Sequence, residues 1–188
     1  MSNIEFTEAI TPEQIEQIHR LNHKIFAEEV RQHHTTADGL LIDRFHAKNH
    51  YFIAVKDNKI VGMISAHDGP LFSVASRLFD ASILIRLRAP LEVRLLAVQP
   101  RYRNRSLLAG LFWQVHRYAK AHNYSDMLIS GITERLPMYQ KLGFLPLGPP
   151  VPDGAAAFVP MCLSLDTPTL QQQRRQQLYA SHWQRMQE

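Results

Sequence analysis

The sequence has few of the features that mark disulfide scaffolds, membrane proteins or nucleic-acid binders. Cys162 is the only cysteine among 188 residues, so no internal disulfide can form and a reducing cytoplasm is the expected compartment. No run approaches the roughly 18 apolar residues of a spanning helix, so we expect no membrane segment. The first ten residues, MSNIEFTEAI, lack the basic start and apolar core of a signal peptide. The charge excess is only +4, which allows an anionic ligand or nucleic acid without requiring either.

The composition that remains is that of an ordinary globular domain. Hydrophobic residues make up 45% of the chain and charged residues 20%. A chain of this size buries about 70% of its unfolded surface, so it needs no covalent or metal cross-link to fold. We expect one domain over residues 1–166 and a polar C-terminal helix or tail over residues 167–188, where Gln and Arg dominate.

Hydrophobic periodicity predicts helices and strands that alternate around one sheet. Helices are expected over residues 12–30 behind a Thr11 cap, over 104–122, and over 133–142 between Thr133 and Gly143. Strands are expected at residues 4–7, 51–55, 60–66, 91–98, 127–129, 144–147 and 157–165, with Gly131 breaking the fifth. Residues 68–90 fit neither period and are expected to form an irregular or helical excursion. The order predicts an α/β (α+β) domain with a central mixed, mostly antiparallel sheet flanked by helices.

A basic turn joins the strand at residues 91–98 to the following helix. The free N–H groups and the positive dipole end of a helix start attract anions. Arg101, Arg103 and Arg105 would strengthen such a site, because guanidinium groups pair well with phosphate oxygens. The alternative is a solvated basic turn that binds nothing.

Two motifs resemble those of the GNAT acetyltransferase superfamily. Residues 98–103, VQPRYR, are similar to the V-x-P-x-[YF]-[RQ] segment that leads into the coenzyme A pyrophosphate loop. Residues 138–144, MYQKLGF, are similar to the motif L-Y-x-K-L-G-F. The resemblance spans residues 4–165 and implies a GNAT-like acyl-CoA N-acyltransferase fold. It also implies direct transfer of an acetyl or other acyl group from acyl-CoA to a primary amine of a small molecule, without a metal.

The resemblance assigns roles to individual residues. The backbone of Leu96, Ala97 and Val98 would meet the pantetheine arm. The pyrophosphate would lie among Arg103, Asn104, Arg105, Ser106 and Leu107. Tyr139 matches the tyrosine that protonates the departing thiolate, and Glu92 is the candidate base. The alternatives are a packed helix aromatic for Tyr139 and a Glu92–Arg94 ion pair at the sheet edge, since alternation would put residues 92, 94, 96 and 98 on one face.

The sequence also departs from the superfamily pattern. Ser106 and Leu108 stand where the pyrophosphate loop usually has glycine, which narrows the backbone approach to phosphate. The run EVRLLAV at residues 92–98 is similar to the corresponding segment of acyl-homoserine-lactone synthases and long-chain N-acyl amino acid synthases. This resemblance implies that acyl carrier protein could be the acyl donor. Acyl transfer from that carrier is therefore the second prediction, and a degenerate, non-catalytic GNAT-fold binding module is the third. RNA binding through residues 101–105 is a weaker alternative.

Several other polar residues are candidates for recognition of the acceptor amine. They are Glu28, Glu29, His33, His34, Arg77, Arg86 and Arg88, each of which could equally lie on a solvated surface. His19 and His23 have the i,i+4 spacing of a metal pair but no obvious third ligand, so no metal is expected. Cys162 lies among apolar residues and is expected to be an inert core thiol. A monomer and a homodimer both remain open.

Overall fold

The structure is a computed structural model that describes residues 4–69, 71–154, 156–167, 170, 173–174, 177 and 181. Most of the expected C-terminal helix or tail over residues 167–188 therefore lies outside the described residues. Contacts divide the chain into two compact units. The first contains Met1–His67 and Leu95–Val115, and the second contains Asp68–Arg94 and His116–Glu188.

The first unit is built on antiparallel strands. Its strands are β1 (Glu5–Glu8), β2 (His50–Lys56), β3 (Lys59–His67) and the second half of β4 (Pro90–Val98). β1 pairs with β2 and β2 pairs with β3, in the strand order β1-β2-β3-β4. Asp57 and Asn58 connect β2 to β3 with φ angles of 51° and 61°. Two such left-handed residues form the tight hairpin turn that the sequence predicted.

Helix α1 (Pro12–Asn22) begins at Thr11, as predicted. The Gln14 amide donates to the Thr11 hydroxyl while the Gln14 side chain accepts from the Thr11 amide, which completes a capping box. The helix then continues as a π-helix over His23–Glu29, so the predicted length is confirmed but the hydrogen-bond pattern differs from an α-helix. Its apolar side carries Ile18, Leu21 and Ile25, which lie in the core of the first unit together with Ile53 of β2 and Met63 of β3.

Helix α3 (Arg105–Ala121) approaches the strands of the first unit closely at its first half. A Cβ on Gly110 would collide with the Phe6 ring of β1, and Leu107 lies 2.9 Å from where a Cβ on Gly62 of β3 would be. Only residues without a side chain permit this spacing. The close approach fixes where the start of α3 lies on the sheet.

The second unit carries the other half of the sheet. β4 pairs in parallel with β5 (Asp126–Ile132), through Pro90–Glu92 and Asp126–Leu128. β5 pairs antiparallel with β8 (Ala156–Ser164), and β8 also pairs with β6 (Leu145–Pro146) and β7 (Val151–Asp153). The eight strands form a mixed sheet with helices beside it, as the sequence predicted, but seven strands were expected and β7 was not among them.

Two details of the second unit correct the sequence-based expectations. Gly131 does not break β5, because its backbone continues the ladder opposite Val159 of β8. Thr133 does not cap the next helix. It lies instead in a 3₁₀ turn, Thr133–Arg135, and α4 (Leu136–Leu142) follows with Arg135 at its N-cap and no side-chain capping bond. Gly143 ends α4 with a φ of 100°, as predicted.

Residues 68–90 form the expected irregular excursion. It contains a 3₁₀ helix, Ser73–Arg77, and a four-residue helix α2 (Ser82–Ile85). No helix in the described part of the chain is both long and apolar enough to cross a bilayer.

Candidate active site

Strand β4 changes its backbone conformation at Leu95. Leu95 has a φ of 52°, a left-handed conformation that costs a residue with a side chain about 1–2 kcal/mol. The regular alternation predicted from Glu92 to Val98 is therefore wrong, because a left-handed residue interrupts the period of two. Local strain of this kind persists only where surrounding structure holds it, and it is common near functional sites.

The basic turn after β4 is held by its own side chains. The Arg103 Nε–H donates to the Val98 carbonyl oxygen at 3.0 Å. Its two Nη groups donate to both carboxylate oxygens of Glu29 at 2.6 Å. These hydrogen bonds lower the pKa of Glu29 and raise the pKa of Arg103, because they favour the charged form of each group, and the opposite charges add to both shifts. Arg103, a predicted pyrophosphate ligand, is thus paired with Glu29 in this structure.

The start of α3 offers fewer free amides than the sequence suggests. Asn104 caps the helix, because its Oδ1 accepts a 2.9 Å bond from the Leu107 amide. That amide is thereby occupied, and the Leu107 side chain is buried in the core. Among the described residues, no protein acceptor takes the amides of Arg105 and Ser106, which lie on the exposed first turn. These two amides are what the helix start can offer an anion.

The strand residues predicted to meet pantetheine lie at the end of β4. Ala97 is fully buried, whereas Leu96 and Val98 are half-buried. The Val98 carbonyl already accepts from Arg103. Backbone contacts from these three residues to a cofactor stay a prediction.

Glu92 is buried in the second unit and is hydrogen-bonded to the excursion. One carboxylate oxygen accepts from the Ser73 amide at 2.8 Å. The other accepts from the Ser73 hydroxyl at 2.6 Å and from the Val74 amide at 2.7 Å. Glu92 therefore anchors the 3₁₀ helix Ser73–Arg77. Ser73 could not be predicted as a partner of Glu92, since residues 68–90 carry no motif or hydrophobic period.

Tyr139 packs its ring against the strand at Gly131. A Cβ built on Gly131 would lie 2.7 and 2.9 Å from two ring carbons of Tyr139. Desolvation raises the pKa of Tyr139, and the nearby charge of Arg135 opposes that shift only in part. The phenol therefore stays protonated at neutral pH, which is the state that a general acid needs.

Glu92 and Tyr139 lie on opposite faces of the sheet. Glu92 is in register with Leu128 of β5, so the two side chains share a face. Gly131 is three residues further along β5 and therefore faces the other way, toward the Tyr139 ring. Glu92 therefore lies at the last pair of the β4–β5 ladder on one face, and the Tyr139 ring lies about 10 Å further along β5 on the other face.

The remaining polar candidates are dispersed. Arg77 pairs with Asp153 and lies over the Phe158 ring, whereas Arg88 pairs with Asp166 at 2.7 Å and Arg86 is exposed. Glu28 lies 2.9 Å from the His23 ring, and His33 and His34 are exposed.

His23 and Cys162 are the last of the residues considered for metal and thiol chemistry. Glu28 and the Thr36 amide occupy the two ring nitrogens of His23, which leaves neither open to a metal. The part of the chain that the structure describes contains no group of three side chains placed to hold a metal ion. Burial raises the pKa of Cys162 to about 12, so its thiol is protonated and unreactive at neutral pH.

Comparisons with known proteins identify the family. The profile of the family described as N-acyl amino acid synthase FeeM matches residues 17–165. The solved structure of FeeM from uncultured soil microbes has a TM-score of 0.70 and 19% identity, covering 93% of this chain and 99% of that chain. The CoA-dependent acyl-homoserine lactone synthase BjaI, solved with MTA, has a TM-score of 0.72 and 20% identity, covering 96% and 90%. An acyl-CoA N-acyltransferase from Pseudomonas aeruginosa has a TM-score of 0.62 and 12% identity, covering 85% and 99%.

A search of curated proteins gives no match to this chain. The solved structures show the fold, which is the GNAT-like acyltransferase fold, and the family profile spans most of the residues. The chain is therefore a member of the FeeM N-acyl amino acid synthase family of acyltransferases.

Proposed function

We propose that the protein transfers an acyl group from a thioester to the α-amine of an amino acid and forms an amide. The placement of Glu92 and Tyr139 on opposite faces of the sheet, at and beyond the end of the β4–β5 ladder, carries this proposal. The family supports amino acids as acceptors, and the exposed Arg105 and Ser106 amides at the start of α3 support coenzyme A as the acyl carrier.

The reaction needs a base before the attack and an acid after it. An ammonium group must lose one proton to become a nucleophile and a second as the amide forms. The amine nitrogen then bonds to the thioester carbonyl carbon, and the C–S bond breaks. The thiolate takes one proton, so the reaction releases one proton overall.

Glu92 accepts a proton through Ser73 in this scheme. The carboxylate is fully buried, but the half-buried Ser73 hydroxyl donates to it at 2.6 Å. Ser73 can accept a proton from the amine as it passes its own proton to Glu92. Tyr139, whose raised pKa keeps it protonated, supplies the proton that the leaving thiolate needs.

The acyl donor has a second candidate, which is acyl carrier protein. It is favoured by the pairing of Arg103 with Glu29 and by the occupied Leu107 amide, since both groups are withdrawn from a pyrophosphate. A carrier protein presents pantetheine without the pyrophosphate and adenosine of coenzyme A, so it would not need Arg103 or the Leu107 amide as phosphate ligands.

The test is an acylation assay with acyl-CoA thioesters from acetyl to palmitoyl and, separately, with the same chains on acyl carrier protein. We expect amide and free thiol in equal amounts with one class of donor, measured by mass spectrometry and thiol titration. Tyr139→Phe should lower kcat about 100-fold or more without changing donor affinity in calorimetry. Absence of amide with every donor and amino acid would refute the proposal and leave a non-catalytic binding module.

A further inference from the structure

We infer that Arg77 and Ser130 form the subsite that binds the acceptor's carboxylate, with Asp153 as the counter-ion that the substrate displaces. This inference rests on the proposed function and names the residues that select the acceptor. All of the groups involved belong to the second unit.

Arg77 is held in place but has an unused donor. Its guanidinium carbon lies 4.6 Å from the centre of the Phe158 ring, and its side chain is only 18% exposed. One Nη group donates to Asp153, whose side chain is 61% exposed. The Nε–H is buried and has no acceptor among the described residues. A carboxylate bound along this edge of the guanidinium could accept from Nε and Nη together.

Ser130 supplies a second unused polar group on the same face. Its hydroxyl is buried and has no partner in the described part of the chain. Ser130 lies two residues from Leu128, which is level with Glu92, and two residues from Ile132, which pairs with Phe158. Residues two apart on a strand share a face. Along β5, Ser130 therefore lies between Leu128, which is beside Glu92, and Ile132, which is beside the Phe158 that Arg77 contacts.

The spacing suits a small molecule with a carboxylate next to an amine. Each two-residue step along β5 is about 7 Å. A carboxylate held between Arg77 and Ser130 therefore directs the adjacent amine toward Ser73 and Glu92. The two unsatisfied buried groups are costly in the free protein, and a bound carboxylate would satisfy both.

Two hypotheses about the Arg77–Asp153 ion pair can be separated by experiment. In the first, Asp153 neutralises Arg77 until the substrate carboxylate replaces it. In the second, the pair only fastens β7 to the 3₁₀ helix. Asp153→Asn should lower the Kd for the amino acid under the first hypothesis. Under the second it should lower the free energy of unfolding and leave the Kd no better than in the wild type.

The decisive measurement compares phenylalanine with phenethylamine, which differ by one carboxylate. We expect Arg77→Gln to lower kcat/KM for phenylalanine about 10- to 100-fold, with a smaller loss for Ser130→Ala. Both variants should leave kcat/KM for phenethylamine within about threefold. Arg77→Lys keeps the positive charge but loses the planar guanidinium that donates two hydrogen bonds in parallel, so its kcat/KM for phenylalanine should lie between those of the wild type and Arg77→Gln. Arg86→Gln, an exposed arginine in the same excursion, is the matched control and should change neither substrate.

Calorimetric binding of phenylalanine gives a readout that does not need turnover. Binding that is lost in Arg77→Gln, in a protein that acylates nothing, would support the subsite and refute the proposed function. Acylation of both substrates with equal losses in Arg77→Gln would overturn the subsite and leave the function standing. Failure of the wild-type protein to bind phenylalanine would overturn the subsite as well.

Discussion

Replacing Gly131 with alanine tests whether the Tyr139 hydroxyl takes part in the chemistry. The new Cβ would lie 2.7 Å from the nearest ring carbon of Tyr139, and ordinary contact begins at 3.4 Å. The ring must therefore move by about 0.7 Å, because the strand backbone is fixed by its ladder with β8.

The expected effect on the rate is large and the effect on folding is moderate. A misplacement of about 1 Å at a reacting group can cost roughly 100-fold, so we expect kcat to fall about 10- to 100-fold. Forcing an extra methyl group into a packed site lowers the free energy of unfolding by about 1–3 kcal/mol. Thiol release at saturating donor and acceptor measures the first quantity, and urea denaturation measures the second.

The same substitution in a Tyr139→Phe protein is the matched control. Phenylalanine keeps the ring, and therefore keeps the collision, but it has no hydroxyl. If the hydroxyl protonates the thiolate, Gly131→Ala should lower kcat less than about threefold in this background, while its effect on stability stays the same. Equal rate losses in both backgrounds would refute the acid role of Tyr139.

Three further predictions concern the helices. Glu29→Gln should release Arg103 and lower the Kd for coenzyme A several-fold in calorimetry, and an unchanged Kd would mean that Arg103 does not contact the pyrophosphate. Burial, aided by the charge of Lys120, lowers the pKa of His116 to about 4, so below about pH 6.5 the unfolded chain binds a proton that the folded protein rejects. The free energy of unfolding should be unaffected by His116 above that pH and should fall as the pH drops toward 4, by about 2 kcal/mol at pH 5. Urea denaturation at each pH measures this loss, and His116→Gln should remove it. Asn104→Ala should lower the free energy of unfolding by about 1 kcal/mol while Asn104→Ser keeps most of it, and equal losses would contradict the cap.

The elements that could be predicted from the sequence are those with short-range signals. The capping box at Thr11 and the left-handed end of α4 at Gly143 each depend on a few neighbouring residues. Gly131 shows the limit of such signals. Its low strand propensity suggested a break, but the ladder with β8 and the Tyr139 ring decide its conformation.

The site contacts that could not be predicted join residues far apart in the chain. Ser73 and Glu92 are 19 residues apart, and Glu29 and Arg103 are 74 residues apart. Composition and periodicity do not report which charges meet across such separations. Resemblance pointed to Glu92 and Tyr139, but only the strand register shows that they face opposite sides of the sheet.

The π-helix at His23–Glu29 lets this segment lose one residue without changing what it contacts. Its backbone bonds span five residues, as between the Val30 amide and the Ile25 carbonyl at 2.8 Å, so it holds about one residue more per turn than an α-helix. Glu28 stands five residues after His23, and the wider turn brings the two side chains to one face. Removing one residue between them would let the segment wind as an α-helix, in which residues four apart share a face. Related chains can therefore lack one residue here and keep the contacts of Glu28 and Glu29.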